Sequence, residues 1–273
     1  MLSFTSSLSP NSDALAIFVT EKYDYKDKNG LLSKDLIQKI DSYLKIIKAK
    51  SKKEEINSFD ISEEKKCFII KVKNKSENYY SEELGGTFFT YAKKLKNIYS
   101  VDLYTDSLNE HKEKLIKFFP KFIFGFNLKS YTFNKYKTID KEKNDKKINF
   151  KIITSQKNKI ENEYKFYEAV KEGVFLTRNL VSEPPNVLNP ATYVKEIQKL
   201  SRLGLKIKSY NEKELKKLGL NALLGVGQGS SNETYLVTIE WNGKSNLKKE
   251  PLAFVGKGVC FDTGGISLKP PKF

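Results

Sequence analysis

The chain has 273 residues, 39% apolar and 30% charged, a balance that is typical of soluble proteins. This length suits one large domain or two ordinary ones, and it can bury a sizeable core. No run of about 18 apolar residues occurs, which excludes a transmembrane helix. The N-terminal segment MLSFTSSLSPNSDALAIFVT has no basic start and carries Asp13 within its apolar part, so it is not expected to be a signal peptide.

The small number of cysteines and histidines limits which disulfides and metal sites the chain can form. Cys67 and Cys260 do not make a disulfide framework, which favours a reducing, cytoplasmic setting. The one histidine, His111, stands among charged residues in SLNEHKEKLIKFF and is expected at the surface. A His-rich zinc site is therefore impossible, and carboxylates, backbone or something unusual would have to hold any metal.

The formal net charge of +16 has two interpretations. One is binding to nucleic acid or to another acidic surface. The other is a set of solvated lysine-rich faces, which we favour because the lysines are scattered and arginine, the usual reader of bases, is rare. A basic DNA-binding or interaction protein that uses its N-terminal part remains the alternative function, and nucleic acid is a possible but unfavoured partner.

Strand-like and helix-like patterns alternate in the first half of the chain, which predicts an α/β fold. Ser33 and Ser107 are candidate helix caps, and Pro120 is expected to end the helix that begins at Ser107 or to start the next element. Gly85 and Gly86 are expected to mark close packing near a helix start. The predicted strands are 14–20, 68–72 and 98–104, and the predicted helices 33–49, 82–96 and 107–119. The aromatic run 122–133 suggests either base stacking or core packing, and we favour core packing.

The second half opens with a charged segment, 140–147, that is the clearest linker in the sequence. Pro184 and Pro185 should stop a long helix. Asn189 is a predicted helix cap, and Asn211 with Glu214 has the spacing of a capping box. The predicted helices are 160–181, one from 189 to 204 and one from 211 to 219, and the predicted strands 148–153, 205–208, 222–226, 235–241 and 252–255. We place the domains at 1–150, 151–182 and 183–273, with the middle segment a connecting strand and a linker helix.

The most informative stretch is PLAFVGKGVCFDTGGISLKPPKF, residues 251–273. An apolar run typical of a buried strand leads into glycines, and the stretch carries Lys257, Asp262 and Lys269. Two lysines and a carboxylate converging on a strand end indicate a site, because the glycines would let a ligand or backbone come close.

Two other motif interpretations are weaker. The glycines of GVGQGSS are spaced G-x-G-x-G rather than G-x-G-x-x-G, so a turn is favoured over a nucleotide loop. Asp262-Thr263-Gly264 is the tripeptide of aspartic proteases, but one copy flanked by lysines would oppose a shared proton. Metal-assisted hydrolysis fits better: a carboxylate can bridge two ions, a neutral lysine can ligate, and a charged lysine can polarise a carbonyl.

The stretch VGKGVCFDTGGISLKP resembles the strand and turn of the leucyl aminopeptidase family, the cytosol aminopeptidases of peptidase family M17. Two further segments, RNLVSEPPNVLNPATYV and LGLNALLGVGQGSSNETYLVTIEW, are similar to that family in the same order. LGGTFFTYAKKLK and FIFGFNLKSYTFNKYKT resemble its N-terminal domain. The resemblance covers most of the chain and thins before residue 80.

The resemblance implies a macro-domain-like N-terminal α/β domain, followed by the first part of an α/β aminopeptidase catalytic domain with a mixed sheet. It implies release of N-terminal residues, often leucine, from peptides with free N-termini. It also implies two divalent metal ions per subunit, Mn²⁺ or Zn²⁺, and a homohexamer when the protein is full length. The cytoplasmic location and the lack of a membrane partner are expected from the few cysteines and the lack of a long apolar run. Carried over by motif, Lys257 and Asp262 are metal ligands and Lys269 is the catalytic lysine.

Two departures from the family pattern matter. Position 260 is Cys where the family usually has Thr. The family's further Asp ligand, and its Asn-Thr-Asp-Ala-Glu-Gly-Arg motif, do not occur in this sequence. We therefore expect the chain to be the N-terminal part of a longer enzyme and to be inactive alone.

Overall fold

The computed structural model describes residues 2–49, 54–74, 79–139, 146–243 and 250–260. Two compact units divide the chain, Met1–Arg178 and Asn179–Phe273. Among the described helices, none has both the length and the apolar character needed to cross a bilayer.

The first unit is built on a six-stranded mixed sheet. Its strands are β1 (Leu2–Thr5), β2 (Ala14–Val19), β3 (Ile56–Asp60), β4 (Lys66–Lys71), β5 (Ser100–Tyr104) and β6 (Asn149–Ile153). Their order across the sheet is β1-β6-β5-β2-β4-β3, and only β3 runs antiparallel to its neighbour. Parallel strands need helical crossovers, and such crossovers place helices on the faces of a sheet.

Helices cover both faces around β2, which is buried along its whole length. The helices of this unit are α1 (Lys34–Ala49), α2 (Tyr80–Lys94), α3 (Lys112–Ser130) and most of α4 (Lys157–Ser182). Alternate β2 residues face opposite ways: Leu15 and Ile17 join the cluster of α1, whereas Phe18 joins that of α2 and α3. The predicted α/β class with a mixed sheet is confirmed.

The packing of α2 on α3 depends on glycine. A Cβ atom at Gly85 would lie 2.0 Å from the Phe122 carbonyl oxygen, and one at Gly125 would lie 1.9 Å from the Glu82 carbonyl oxygen. Both neighbours are backbone atoms, so neither can move aside without moving a helix. The prediction that glycine marks close packing at Gly85 is confirmed.

Two predictions about α3 are wrong. The helix runs through Pro120 instead of stopping there, because Phe119 and Phe122 on either side are buried in the core and their packing offsets the lost backbone hydrogen bond. Ser107 caps no helix: its buried hydroxyl accepts from the Phe18 amide at 2.8 Å and donates to the Tyr104 carbonyl at 2.5 Å. The aromatic residues of the run 122–133 that lie in α3 are buried, which confirms core packing there: Phe122, Phe124 and Phe126.

The edges of the sheet also differ from expectation. Strands β1 and β3 were not predicted, since they are short and half-exposed and lack a long apolar run. Strand β6, expected in the connecting segment, pairs with both β1 and β5 in the first sheet. The unit continues along α4 to Arg178, whose guanidinium donates to the Leu128 carbonyl at 2.8 Å. The functional assignment of the three predicted domains stays a prediction.

The second unit contains short elements after α4. These are α5 (Pro190–Gln198), β7 (Lys206–Tyr210), α6 (Glu212–Lys217), α7 (Asn221–Gly227) and β8 (Leu236–Glu240), with β7 and β8 forming an antiparallel pair. Both predicted caps are confirmed: the Asn189 side chain accepts from Thr192 N, and Asn211 and Glu214 form a capping box. Gly204 and Gly219, predicted as helix ends, have φ values of 83° and 75°.

Two strand predictions in this unit are wrong. Residues 222–226 lie in α7, and residues 252–255 lie in neither helix nor strand. The sequence ALLGV fits a buried strand or a short helix equally well by its apolar pattern, so periodicity could not separate them. A strand at 252–255 would need a neighbour for its backbone hydrogen bonds, and no strand among the described residues pairs with it.

Candidate functional site

The segment that leads into the motif is exposed in the second unit. Leu252, Phe254 and Val255 have relative exposures of 81%, 90% and 99%. Apolar side chains of this size are normally buried, since each would gain roughly 2 kcal/mol from leaving water. The described residues of the unit therefore offer this segment no core.

Lys257 lies on this segment between two glycines, and its side chain is exposed. A Cβ atom at Gly258 would lie 2.9 Å from the Tyr193 ring, so a larger residue there would push that ring away. The backbone beside Lys257 thus passes close to α5, and the cap at Asn189 fixes where α5 begins. This places the lysine amine where a ligand can approach from solvent.

Asp262 and Lys269, the other two predicted site residues, lie outside the described residues. Their roles as metal ligand and catalytic lysine stay predictions. Of the three predicted site residues, Lys257 is the one among the residues that the structure describes.

Cys260 is half-buried, and its Sγ lies 4.0 Å from the Gly258 carbonyl oxygen. Burial raises the pKa of its thiol, so the group stays protonated at neutral pH.

Among the described residues, no group of three or more His, Cys, Asp or Glu side chains is arranged to hold a metal. His111 is exposed just before α3, as predicted for a surface residue. Gly227 of the GVGQG stretch lies against Thr234, where a Cβ atom would be 1.8 Å from its hydroxyl oxygen. Close packing therefore accounts for this glycine without a nucleotide.

The sequence analysis missed the carboxylates that organise the first unit. Asp106 accepts from Thr154 Oγ1 at 3.0 Å, Ser155 N at 2.7 Å and Asn29 Nδ2 at 2.9 Å, which ties the ends of β5 and β6 to a loop. Asp102 is only 2% exposed although it lies in a strand. An acid among apolar residues in SVDLY was the available signal.

Comparison with known proteins connects the second unit to one family. Residues 175–273 match the catalytic domain of the cytosol aminopeptidase family. A probable cytosol aminopeptidase of Agrobacterium fabrum is 49% identical over 152 residues, which are 55% of this chain and 30% of the relative. One of Phytoplasma mali is 47% identical over 151 residues, or 54% of this chain and 30% of the relative. The match thus spans under a third of these relatives.

Solved structures share the fold at low sequence identity. A mutant of tomato leucine aminopeptidase superposes with a TM-score of 0.73 at 22% identity, covering 96% of this chain and 55% of that one. The bottromycin maturation enzyme BotP in complex with Mn gives a TM-score of 0.62 at 17% identity, covering 95% and 51%. The motif resemblance is confirmed: residues 175–273 of this chain match the catalytic domain of the cytosol aminopeptidase family, and the solved structures share the fold.

Proposed function

We propose that this chain is part of a metal-dependent aminopeptidase that releases N-terminal residues, with a leucine-type preference, from peptides. The observation that carries the proposal is the match of residues 175–273 to the catalytic domain of the cytosol aminopeptidase family. This matched segment contains Lys257, Asp262 and Lys269 in VGKGVCFDTGGISLKP.

Each of the three residues has a role that its chemistry allows. Lys257 would ligate through a neutral amine, a form that a nearby cation favours. Asp262 would contribute carboxylate oxygens to the metal site. Lys269 would stay charged and polarise the scissile carbonyl, so that the developing oxyanion is stabilised. Bound divalent ions would supply Lewis-acid chemistry and an activated water.

The donors in this chain fit two divalent ions, Mn²⁺ or Zn²⁺, in type but not in number. Lys257 and Asp262 are two donors, whereas zinc takes about four ligands and larger ions about six. No cluster of His, Cys, Asp or Glu among the described residues adds to them. BotP in complex with Mn is consistent with a divalent ion in this fold, but it is a different protein.

The first test is replacement of the catalytic lysine. In the protein made from its complete coding sequence, Lys269→Ala should abolish hydrolysis of a leucine anilide, a loss of about 100-fold or more in kcat, because one oxyanion contact is removed. Lys272→Ala is the control: this lysine lies three residues away, outside the stretch VGKGVCFDTGGISLKP, and the variant should keep its activity. Unchanged turnover by Lys269→Ala would rule out the proposed role.

A second test concerns the metal. The purified 273-residue chain should bind Mn²⁺ weakly and show no peptidase activity, because two donors leave most coordination positions to water. Isothermal calorimetry measures this binding, with Lys257→Met as the variant that removes one donor. Tight binding of two Mn²⁺ per chain would contradict this donor count.

A cytoplasmic homohexamer completes the proposal. Its support is the name of the relatives, cytosol aminopeptidases, together with the family resemblance. Light scattering on the protein from the complete coding sequence measures the mass directly, and a monomer at micromolar concentration would exclude the hexamer.

A further inference from the structure

One half of a sheet face in the first unit is polar where the other half is apolar. On the face covered by α1, β2 and β4 present apolar side chains such as Leu15, Ile17 and Ile69. Tyr104 of β5 and Ile153 of β6 belong to the same face. Counting back by twos along these strands gives the polar residues of the face: Ser100, Asp102, Asn149 and Lys151.

The polar side chains stand in a row across three strands. Ser3 of β1 pairs with Lys151 of β6, and Lys151 pairs with Asp102 of β5. Neighbouring strands lie about 4.8 Å apart, so an ammonium and a carboxylate sit side by side on this face. Lys151 and Asp102 thus carry opposite charges at adjacent positions, on a part of the sheet face that is partly enclosed.

A loop between β1 and β2 closes one side of this row. The Ser9 amide donates to Asp102 Oδ2 at 2.5 Å, and Lys151 Nζ donates to the Ser9 hydroxyl. Burial raises the pKa of Asp102, and the Ser9 amide and the charges of Lys151 and Lys65 oppose that rise. The carboxylate is thus held in place with little contact with water.

Between the loop and the sheet lies a cleft of about 410 Å³. Besides the two charged residues, its lining is rich in hydroxyl and amide groups: Ser3, Ser9, Asn11, Ser12, Ser100 and Asn149. Clefts of a few hundred cubic ångströms with a few convergent polar groups are of the size that binds small molecules.

We propose that this cleft binds a free α-amino acid, with its ammonium group near Asp102 and its carboxylate near Lys151. A zwitterion of this kind carries both charged groups on one carbon atom, as the cleft carries its two charges on neighbouring strands. A simple anion or cation would meet a repelling charge beside its partner. The remaining volume and the hydroxyl groups would receive a small polar side chain. This site lies in the first unit and does not depend on the proposed peptidase activity.

Titration of the whole 273-residue chain with L-serine by isothermal calorimetry tests the proposal. We expect saturable binding at one site per chain. 3-Hydroxypropanoate and 2-aminoethanol are serine without its amine and without its carboxylate. Each should bind at least about tenfold more weakly, because one charge-assisted contact is lost. Equal binding of either analogue, or no saturable heat up to about 10 mM serine, would overturn the proposal.

Variants locate the site. Asp102→Asn and Lys151→Gln should each weaken serine binding by about tenfold or more. Asp60 and Lys66 form a matched control pair, because they also face each other on adjacent strands, outside the cleft, and already form an ion pair. The double variant Asp60→Asn, Lys66→Gln should bind serine like the original chain, and a loss equal to that of Asp102→Asn would overturn the proposal.

A variant that keeps both Asp102 and Lys151 tests whether a loss of binding could come from misfolding instead of from the cleft. Ser3 is exposed at the edge of the cleft, so Ser3→Phe should fill the cleft without disturbing the core. Its urea unfolding midpoint should be unchanged while serine binding is lost. Binding as strong as in the original chain would show that serine binds elsewhere.

Discussion

Strand β2 and the segment 252–255 are similar as sequences and opposite as structures. ALAIFV in β2 is buried at every position, whereas LAFV at 252–255 carries three of the most exposed apolar side chains described. The difference lies in the neighbours. Strand β2 has a parallel strand on each side and helices on both faces, and the described residues around 252–255 supply neither. An apolar run shows a need for burial, and the surrounding chain decides whether that need is met.

The largest expected effect comes from exchanging one phenylalanine in each region for alanine. Phe18 is fully buried with its ring edge-on to Phe119 at 4.8 Å, so Phe18→Ala should lower the free energy of unfolding by about 3–5 kcal/mol. Phe254 is 90% exposed, so Phe254→Ala should change it by less than about 0.5 kcal/mol. Urea unfolding of both variants measures the contrast, and a large loss for Phe254→Ala would break it.

A smaller effect is expected where the helices that cover β2 touch. Gly125→Ala would force a methyl group into the Glu82 carbonyl oxygen, so it should cost about 1–3 kcal/mol or more. Gly173→Ala is the control: this glycine lies inside α4 with nothing within 4 Å of its Cβ position. It should gain about 0.5–1 kcal/mol through helix propensity. Equal thermal midpoints for the two variants would contradict the backbone contact.

The smallest effect concerns the carboxylate that anchors the start of β2. Asp13 Oδ2 accepts from Tyr99 N, Ser100 N and Ser100 Oγ at 2.7–2.8 Å. Burial alone would raise the pKa of Asp13, but these hydrogen bonds and the charge of Lys146 lower it below its usual 3.8. A lowered pKa stabilises the fold above the unfolded value, and that stabilisation is lost as the pH falls through the folded value.

Asp13→Asn should therefore cost about 1 kcal/mol at pH 7, a figure reduced for the partial exposure of the group. The difference from the original chain should shrink as the pH falls below about 4. Asp102→Asn is the contrasting variant. Since burial raises the pKa of Asp102, the original chain should lose stability relative to this variant as the pH rises through the raised value. Urea midpoints from pH 3 to pH 7 measure how the stability difference between each variant and the original chain changes with pH. Slopes of the same sign for the two variants would contradict the opposite pKa shifts of Asp13 and Asp102.

Local signals in the sequence predicted the elements whose causes are themselves local. Capping side chains at Ser33, Asn189 and Asn211 act within three residues, and the structure contains all three caps. The apolar run of β2 also predicted a strand correctly, because a strand buried on both faces is apolar at every position instead of alternating with polar residues. The elements that were missed or misjudged depend on distant partners: β1 needs β6, and α3 continues through Pro120 only because its phenylalanines pack on the sheet.

The two candidate sites also differ in whether local sequence or distant strand pairing defines them. The sequence alone was enough to predict the resemblance of residues 175–273 to cytosol aminopeptidases, because the spacing of Lys257, Asp262 and Lys269 among glycines is a local pattern. It did not reveal that Asp102 and Lys151 stand side by side, 49 positions apart in the chain, because strand register sets that pairing. Only the tertiary structure decided it: pairing of β5 with β6 brings together charges that no window of sequence contains.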